Sequence, residues 1–183
     1  MLGSFPPARK RWCMDFFYPN FANDMWRIWG LLCFADKNHF VDADARRFRQ
    51  EAIESFLRER GIALYDVACA VVRTRNTASD RDLDIVERTD VDALLAALPL
   101  CRAVVATGQK AADTLVAHFA LDRAPAVGTS VPFTHQGRDL LLFRMPSSSR
   151  AYPLSLEAKA AAYRQLLPLL ADEKAFTFST VAP

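Results

Sequence analysis

The chain has 183 residues, of which 51% are hydrophobic and 24% are charged, and its formal net charge is +2 at pH 7. This length suits a single domain that buries a core without the help of disulfides or metals. The nearly balanced charge does not by itself indicate a nucleic-acid-binding protein, so a DNA-binding surface has to come from local clusters of basic residues.

The cysteines and the apolar segments exclude several further classes of protein. A zinc or iron–sulfur site is disfavoured because no C-x-x-C pair and no histidine at ligand spacing accompanies Cys13, Cys33, Cys69 or Cys101. No apolar run approaches the length of a membrane span, and the N-terminus lacks the apolar core of a signal peptide. We therefore expect a cytoplasmic protein with reduced thiols.

The first part of the chain predicts a loop, two helices and a strand. Residues 3–18 are loop-like, with two prolines, a basic run and several aromatic residues. Apolar residues recur at helical spacing from Asn23 onward, which predicts a first helix. A second amphipathic helix is expected from about residue 44 to residue 60, where Gly61 stops it. Residues 62–72 are expected to form a strand that continues into a connection.

The middle of the chain predicts a further strand between two helices. Residues 73–88 are polar and charged and are expected to form a loop. Thr89 is expected to cap a short helix that Pro99 ends. Residues 103–106 have the composition of a buried strand, which continues through Thr107-Gly108 into a helix.

The last part of the chain predicts a hairpin, a loop and a helix. Residues 131–134 and 140–143 are expected to pair around a turn at Gln136-Gly137. A loop over residues 145–153 follows, and Ser155 is expected to cap a last amphipathic helix.

The alternation of strands and helices predicts an α/β fold, a three-layer αβα sandwich around a central, mainly parallel sheet of four to five strands. We expect one domain over residues 1–183, with a tail that frays after about residue 172. In such sheets, sites form where the carboxyl ends of strands meet loops and helix N-termini. Three loops meet this condition, at residues 3–23, 107–110 and 145–153.

The segment F-Y-P-N-F-A-N-D-M-W, residues 17–26, combines a flat aromatic residue with a polar amide just before a helix. Tyr18 is suited to stacking on a planar heterocycle, and Asn23 to positioning a water or reading a base edge. Enzymes that flip a base out of DNA need both functions. The alternative is that the aromatic residues belong to the core and that Asn23 caps the helix.

The segment M-P-S-S-S-R-A, residues 145–151, places hydroxyls and backbone amides in a tight loop before a helix. Such a loop is suited to gripping a phosphate, and Arg150 to pairing with a phosphate or entering the duplex. The alternative is a plain connecting loop. Further basic residues either contact the DNA backbone or form solvated faces; they lie at positions 9–11, 46, 47, 49, 73 and 75.

Motifs of other enzyme classes do not occur in the chain. It contains no G-x-x-x-x-G-K-[ST], no G-x-G-x-x-G and no G-x-S-x-G. No partner is evident in the sequence for the three histidines, so we expect surface or partly buried roles for His39, His118 and His135.

Taken in order, five segments resemble the uracil-DNA glycosylase superfamily across nearly the whole chain: G-S-F-P-P, F-Y-P-N-F-A-N-D-M-W, G-I-A-L-Y-D, A-T-G-Q-K-A and M-P-S-S-S-R-A-Y. The chain is most similar to the hypoxanthine-DNA glycosylase and mismatch-specific uracil glycosylase branches. The G-S-F-P start and the N-x-[FM]-W element are the most telling, and residues 61–66 match the G-[IV]-x-L-[WY]-D strand of those branches.

The resemblance implies a monofunctional DNA glycosylase that removes a deaminated base, uracil or hypoxanthine, in base excision repair. Asn23 matches the asparagine that is assigned to catalysis in the hypoxanthine branch. The base would be bound by the first motif and by an aromatic residue stacked under it, that is, by Gly3, Ser4, Phe5 and Tyr18. The DNA backbone would be pinched by the second motif, that is, by Pro146, Ser147, Ser148, Ser149 and Arg150. The partner would be DNA that carries the damaged base, bound by a monomer without a metal or cofactor and without a membrane.

The chain departs from the family pattern in three places. Its first motif has no Asp or Asn between Gly3 and Pro7, where the archetypal enzymes place their water-activating residue. Its second motif has Met145 where some branches place a histidine. Relatives carry an apolar strand before the first motif, whereas only two residues precede Gly3 here. We therefore expect that the chain is truncated, and that the lost central strand leaves a cavity and unpaired backbone groups.

Two alternatives remain open at the level of the sequence. The missing carboxylate of the first motif favours a catalytically degenerate member of the superfamily that binds DNA or a nucleobase without cleaving. The α/β outline alone is also compatible with a small-molecule hydrolase or transferase that acts on nucleosides. Salt-sensitive binding to DNA would separate the first of these from the second.

Overall fold

The computed structural model describes residues 1–74 and 82–170. Its helices are α1 Met25–Phe34, α2 Gln50–Arg60, α3 Val91–Ala96, α4 Gln109–His118 and α5 Leu156–Tyr163, with 3-10 turns at Arg9–Arg11 and Arg164–Leu169. Its strands are β1 Leu2–Gly3, β2 Val41–Asp42, β3 Arg47–Phe48, β4 Tyr65–Asp66, β5 Ala68–Arg73, β6 Leu83–Arg88, β7 Ala103–Thr107, β8 Thr129–His135 and β9 Arg138–Met145. Among the helices of this described part, none combines the length and apolar character that crossing a membrane requires.

Five strands form the central sheet in the order β4-β1-β7-β9-β8. The first four are parallel to one another, and β8 pairs antiparallel with β9 at one edge. Pro132 lies in β8 and is exposed there. The prediction of a mainly parallel sheet with four to five strands is confirmed.

The sheet separates two apolar cores because successive residues of a strand face opposite sides. On one face, α1, α2 and α5 pack against side chains that include Val105 and Phe143. On the other face, α3 and α4 pack against side chains that include Val104 and Leu142. The architecture is compatible with the predicted three-layer sandwich.

The predicted end of α2, start of α5 and turn between β8 and β9 have the expected local geometry. Gly61 ends α2 with a φ of 65°, which glycine adopts without steric strain. The Ser155 hydroxyl accepts a hydrogen bond from the amide of Ala158 and caps α5. Gln136 and Gly137 both have positive φ angles, as a two-residue hairpin turn between β8 and β9 requires.

The second helix is shorter than predicted. It begins at Gln50, and the residues before it form the small hairpin of β2 and β3. The carboxylate of Asp42 accepts a hydrogen bond from the amide of Ala45, and Arg46 has a φ of 48°. A local aspartate turn of this kind competes with helix formation, which the apolar periodicity of the segment did not reveal.

The prediction for residues 62–88 is wrong in its second half. The chain makes the strands β4 and β5 where a strand was expected, but β6 lies in the segment that was expected to be a loop and pairs antiparallel with β5. Residues 75–81 of that expected loop lie outside the described residues. Leu83 is fully buried while Asp84 is exposed, so β6 has the alternation of a half-buried strand. The basic position 75 and the tail after residue 172 lie outside the described residues.

The cap of α3 also differs from the prediction. The side chain of Asp90, not that of Thr89, accepts the hydrogen bond from the amide of Ala93. Thr89 instead donates its hydroxyl to the carbonyl of Asp66 at 2.6 Å, which ties the start of α3 to the end of β4.

A largely apolar cavity of about 700 Å³ opens at the amino end of β1, between β7 and the chain that enters β4. The ammonium group of Met1 donates to the carbonyl of Ala63 at 2.6 Å, and the amide of Tyr65 donates to the carbonyl of Met1 at 3.0 Å. Burial lowers the pKa of this ammonium group to about 6. Whether a longer strand precedes Gly3 stays a prediction.

Candidate functional site

The three loops singled out in the sequence meet at the carboxyl ends of β1, β7 and β9, here called the carboxyl edge. The hydroxyls of Tyr18 and Thr107 are hydrogen-bonded at 2.8 Å, and Thr107 also donates to the carbonyl of Leu2. The amide of Gly108 donates to the carbonyl of Met145 at 3.1 Å. The expected convergence of residues 3–23, 107–110 and 145–153 is therefore present, since parallel strands end at the same edge.

Gly3 lies at the carboxyl edge, where two polar side chains approach its Cα closely. It pairs in register with Asp66 of the neighbouring strand β4. A Cβ atom added at Gly3 would lie 2.6 Å from Oδ1 of Asp66 and 3.2 Å from the phenolic oxygen of Tyr18. The absence of a side chain at Gly3 thus allows a carboxylate and a phenol to approach the first motif closely.

Asp66 is a candidate site residue that was not singled out from the sequence. A carboxylate was expected within residues 3–7, whereas the carboxylate beside the first motif comes from the neighbouring strand. The sequence did contain a signal, because Asp66 ends a predicted strand and the carboxyl ends of parallel strands are neighbours. Only the order β4-β1 in the sheet decides that Asp66 meets Gly3.

Tyr18 has a left-handed backbone with a φ of 50°, which is uncommon for an aromatic residue. Its ring is half-buried and stands edge-on to the ring of Trp26, with the centroids 6.1 Å apart. The hydrogen bond to Thr107 holds the ring in this position. Such local strain is often found where a side chain has a binding role.

Asn23 lies at the start of α1. Its Oδ1 accepts a hydrogen bond from the amide of Met25 at 2.9 Å, but the N-cap residue of α1 is Asp24, so the alternative that Asn23 itself caps the helix is wrong by one residue. Asn23 instead closes a local turn just before the cap. Among the described residues, none accepts a hydrogen bond from its Nδ2, and the side chain is half-buried. Asn23 forms an isolated antiparallel β-bridge with Ser149, and the amide of Asp24 donates a hydrogen bond to the carbonyl of Ser148. The Asn23 segment therefore packs directly against the second motif.

The second motif exposes only part of its residues. Pro146 and Ser148 are buried, Ser147 and Ser149 are half-buried, and Arg150 is exposed. The hydroxyl oxygen of Ser147 accepts from the amide of Ser149, and that of Ser149 accepts from the amide of Ala151. Each of these hydroxyls keeps its own proton for donation, so the contact surface of the loop consists of Ser147, Ser149 and Arg150.

A buried ion-pair cluster fixes the second motif against α1. The Lys159 side chain is 1% exposed, and its ammonium group donates to Asp24 at 2.9 Å and to the carbonyl of Ser149 at 2.8 Å. Nε of Arg150 donates to the other oxygen of Asp24 at 3.0 Å. Lys159 has the helical spacing of Tyr163 and Leu166, so a lysine on the core face of the last helix was visible in the sequence.

A cavity of about 370 Å³ lies beside this cluster. It is lined by the apolar Leu154 and Leu156 and by one carboxylate against four cationic side chains, namely Asp24, Arg27, Lys37, Arg150 and Lys159. The excess of positive charge favours an anion such as a phosphate at this position.

The predicted basic clusters have different environments. Arg9 forms a two-pronged ion pair with Asp15, and Arg47 pairs with Asp42. Arg73 donates to the carbonyl of Pro6 at 3.0 Å and so braces the first motif. The remaining positively charged side chains of the first two clusters are exposed, at positions 10, 11, 46 and 49.

Comparisons of the chain with protein-family models, with curated proteins and with solved structures give no match. The chemistry of the site therefore has to be derived from its own residues. A phenol ring and a carboxylate lie beside the first motif, and the Asn23 segment packs against a cationic loop. This combination suits a flat, polar ligand that is linked to a phosphate group.

Proposed function

We propose that the chain is a DNA glycosylase that hydrolyses the N-glycosidic bond of a deaminated base, uracil or hypoxanthine, in base excision repair. The observation that supports it best is the packing of Gly3, Tyr18 and Asp66 at the carboxyl edge. The strand beside the first motif supplies the carboxylate that the motif itself lacks.

Breaking the bond develops positive charge on the sugar and negative charge on the departing base. The carboxylate of Asp66 would stabilise the cationic sugar or orient the attacking water. Backbone amides of the first motif beyond β1 would donate hydrogen bonds to the base, and the half-exposed ring of Tyr18 would stack on it. Nδ2 of Asn23 would hold the water or a base carbonyl, because its Oδ1 is already used by Met25. The product would be an abasic site.

The DNA backbone would be held by the second motif. Ser147 and Ser149 would donate their hydroxyl protons to phosphate oxygens, and Arg150 would supply a positive charge at the mouth of the cationic cavity. The loop is rigid enough for this task because Lys159 and Asp24 tie it to α5 and α1.

The test is a base-excision assay on single- and double-stranded oligonucleotides that carry one uracil or one hypoxanthine. We expect alkali-labile cleavage at the damaged position with the unmodified chain. We expect Asp66→Asn to lower turnover by about 100-fold or more, since positioned acid–base groups contribute factors of this size. Asp84→Asn is the matched control, because Asp84 is an exposed carboxylate on the β5–β6 ribbon.

The other outcomes would contradict the proposal in different ways. Salt-sensitive DNA binding without any cleavage would favour the catalytically degenerate alternative. Neither cleavage nor DNA binding by the folded protein would overturn the assignment to DNA altogether. Full turnover in Asp66→Asn would restrict Asp66 to a structural role and leave the chemistry to Asn23.

A further inference from the structure

Two of the three histidines converge on one carboxylate far from the carboxyl edge. His118 is the last residue of α4, His135 the last of β8, and Asp92 lies in the first turn of α3. Since α4 has ten residues and starts at the carboxyl edge, His118 lies about 15 Å away along the helix. These three residues are here called the histidine cluster.

The donor atoms of the histidine cluster are close together. Nε2 of His118 lies 3.0 Å and Nε2 of His135 lies 2.6 Å from the same atom, Oδ1 of Asp92. All three donor atoms lie within 4.8 Å of one another. No partner for these histidines is evident in the sequence, because the three positions come together only through the packing of α3, α4 and β8.

The two imidazole rings also pack against a phenylalanine ring. The ring of Phe119 meets His118 at 4.9 Å and His135 at 5.0 Å between centroids. Phe119 in turn packs on Phe133 at 4.5 Å. The histidine side chains are 27% and 20% exposed and that of Asp92 is 43% exposed, so an ion from solvent can reach the donor atoms.

We propose that the histidine cluster is a binding site for a divalent transition-metal ion, zinc in particular. Two imidazoles and one carboxylate form a ligand set that zinc prefers, with the fourth position left to water. Zinc bonds of about 2.0–2.1 Å place tetrahedral ligand atoms about 3.3 Å apart. The Asp92 oxygen therefore has to move outward by less than about 1 Å, and the two Nε2 atoms, which are at most 4.8 Å apart, have to approach each other by at most about 1.5 Å. Each ring would bind the ion through Nε2 as the neutral tautomer that carries its single proton on Nδ1.

Such an ion would join three elements that are remote in sequence. It would fix the amino end of α3 to the carboxyl ends of α4 and β8, on the side of the sheet away from α1 and α5. A zinc site was disfavoured from the sequence because the cysteines lack both C-x-x-C pairs and nearby histidines, and neither feature bears on a site made of two histidines and an aspartate.

The test uses tag-free protein that has been treated with a chelator and titrated with ZnCl2 by calorimetry. We expect one zinc ion per chain with a dissociation constant in the micromolar range or below. His118→Ala and His135→Ala should each weaken binding by about 100-fold or more, because each removes one of three protein ligands. His39→Ala should bind zinc like the unmodified chain, because His39 stacks on Phe34 outside the cluster.

A second measurement keeps the result interpretable if a variant unfolds. Cobalt(II) added to the unmodified chain should give the visible absorption of a tetrahedral site without a thiolate charge-transfer band. Zinc binding only at millimolar concentration, or unchanged affinity in the folded His118→Ala/His135→Ala double variant, would overturn the proposal. A thiolate band from cobalt would also overturn it, since it would assign the metal to a cysteine.

Discussion

Gly3 determines how closely the carboxylate of Asp66 and the phenol of Tyr18 can approach the first motif. Gly3→Ala should lower the free energy of unfolding by about 1–3 kcal/mol, because the new Cβ would lie 2.6 Å from Oδ1 of Asp66. Urea unfolding followed by circular dichroism measures the change.

The matched control removes the obstructing oxygen. In the Asp66→Ala background, Gly3→Ala should cost less than in the unmodified chain, because contacting residues show non-additive effects. An equal loss in both backgrounds would mean that Gly3 is required by its backbone and not by the approach of Asp66.

Asn23 combines an oxygen that closes a local turn before α1 with an amide group, and two variants separate these roles. Asn23→Ala should cost about 1 kcal/mol of stability and most of the turnover, because it removes both the hydrogen bond to Met25 and the amide. Asn23→Ser should retain stability, because its hydroxyl oxygen can accept from Met25, and should still lose about 100-fold in turnover. DNA binding, measured by fluorescence anisotropy, should change little in either variant. Normal turnover in Asn23→Ser would restrict Asn23 to the local turn before α1.

The candidate site residues that carry their own local signal could be singled out from the sequence. Tyr18 and Asn23 were singled out because an aromatic residue and an amide precede a helix. Asp66 and Lys159 were not, because their roles depend on which strand lies beside β1 and which helix lies beneath the second motif. Neighbour relations of this kind are set by tertiary packing and not by local pattern.

At the scale of elements, α5 holds the second motif through one buried lysine. Lys159→Met should lower the free energy of unfolding by about 3–5 kcal/mol, because it leaves Asp24 buried with one cation fewer. It should also weaken DNA binding, because the carbonyl of Ser149 loses its donor and the loop loses its anchor. Thermal unfolding and anisotropy titration measure the two effects.

Lys37→Met is the control for this variant. Lys37 lines the same cavity but is exposed, so its replacement should change stability by no more than about 0.5 kcal/mol. If both lysine variants behave alike, the ion pair with Asp24 does not anchor the loop.

The elements that were predicted correctly have strong periodicity and clear ends. The helix from Met25, the strand from Ala103 and the hairpin of β8 and β9 belong to this group. The two-stranded ribbons were missed, because short, charged strands such as β6 resemble loops in composition. Their pairing depends on a partner strand, which no local pattern specifies.

At the scale of the whole molecule, the amino terminus makes stability depend on pH. The unfolded chain holds the Met1 proton up to about pH 8, whereas burial lowers the pKa in the folded chain to about 6. The folded state therefore binds fewer protons between these values, so the free energy of unfolding should rise from pH 6 to pH 8 and then level off. Chemical unfolding at a series of pH values tests this.

N-terminally acetylated protein provides the comparison, because its amine cannot titrate. The difference in stability between the two forms should vary with pH only within this window. A difference that is constant from pH 5 to pH 9 would show that the ammonium group is as well solvated in the folded chain as in the unfolded one.

The central sheet also bears on how the protein behaves in concentrated solution. Its outer strand β8 carries Pro132, which has no amide proton to offer a neighbouring strand. Its other outer strand, β4, is only two residues long. Both edge strands are thus poor partners for a strand from a second molecule, so edge-to-edge association of two sheets is disfavoured. Resistance to fibrous self-association is built into the same sheet order that brings Asp66 to Gly3.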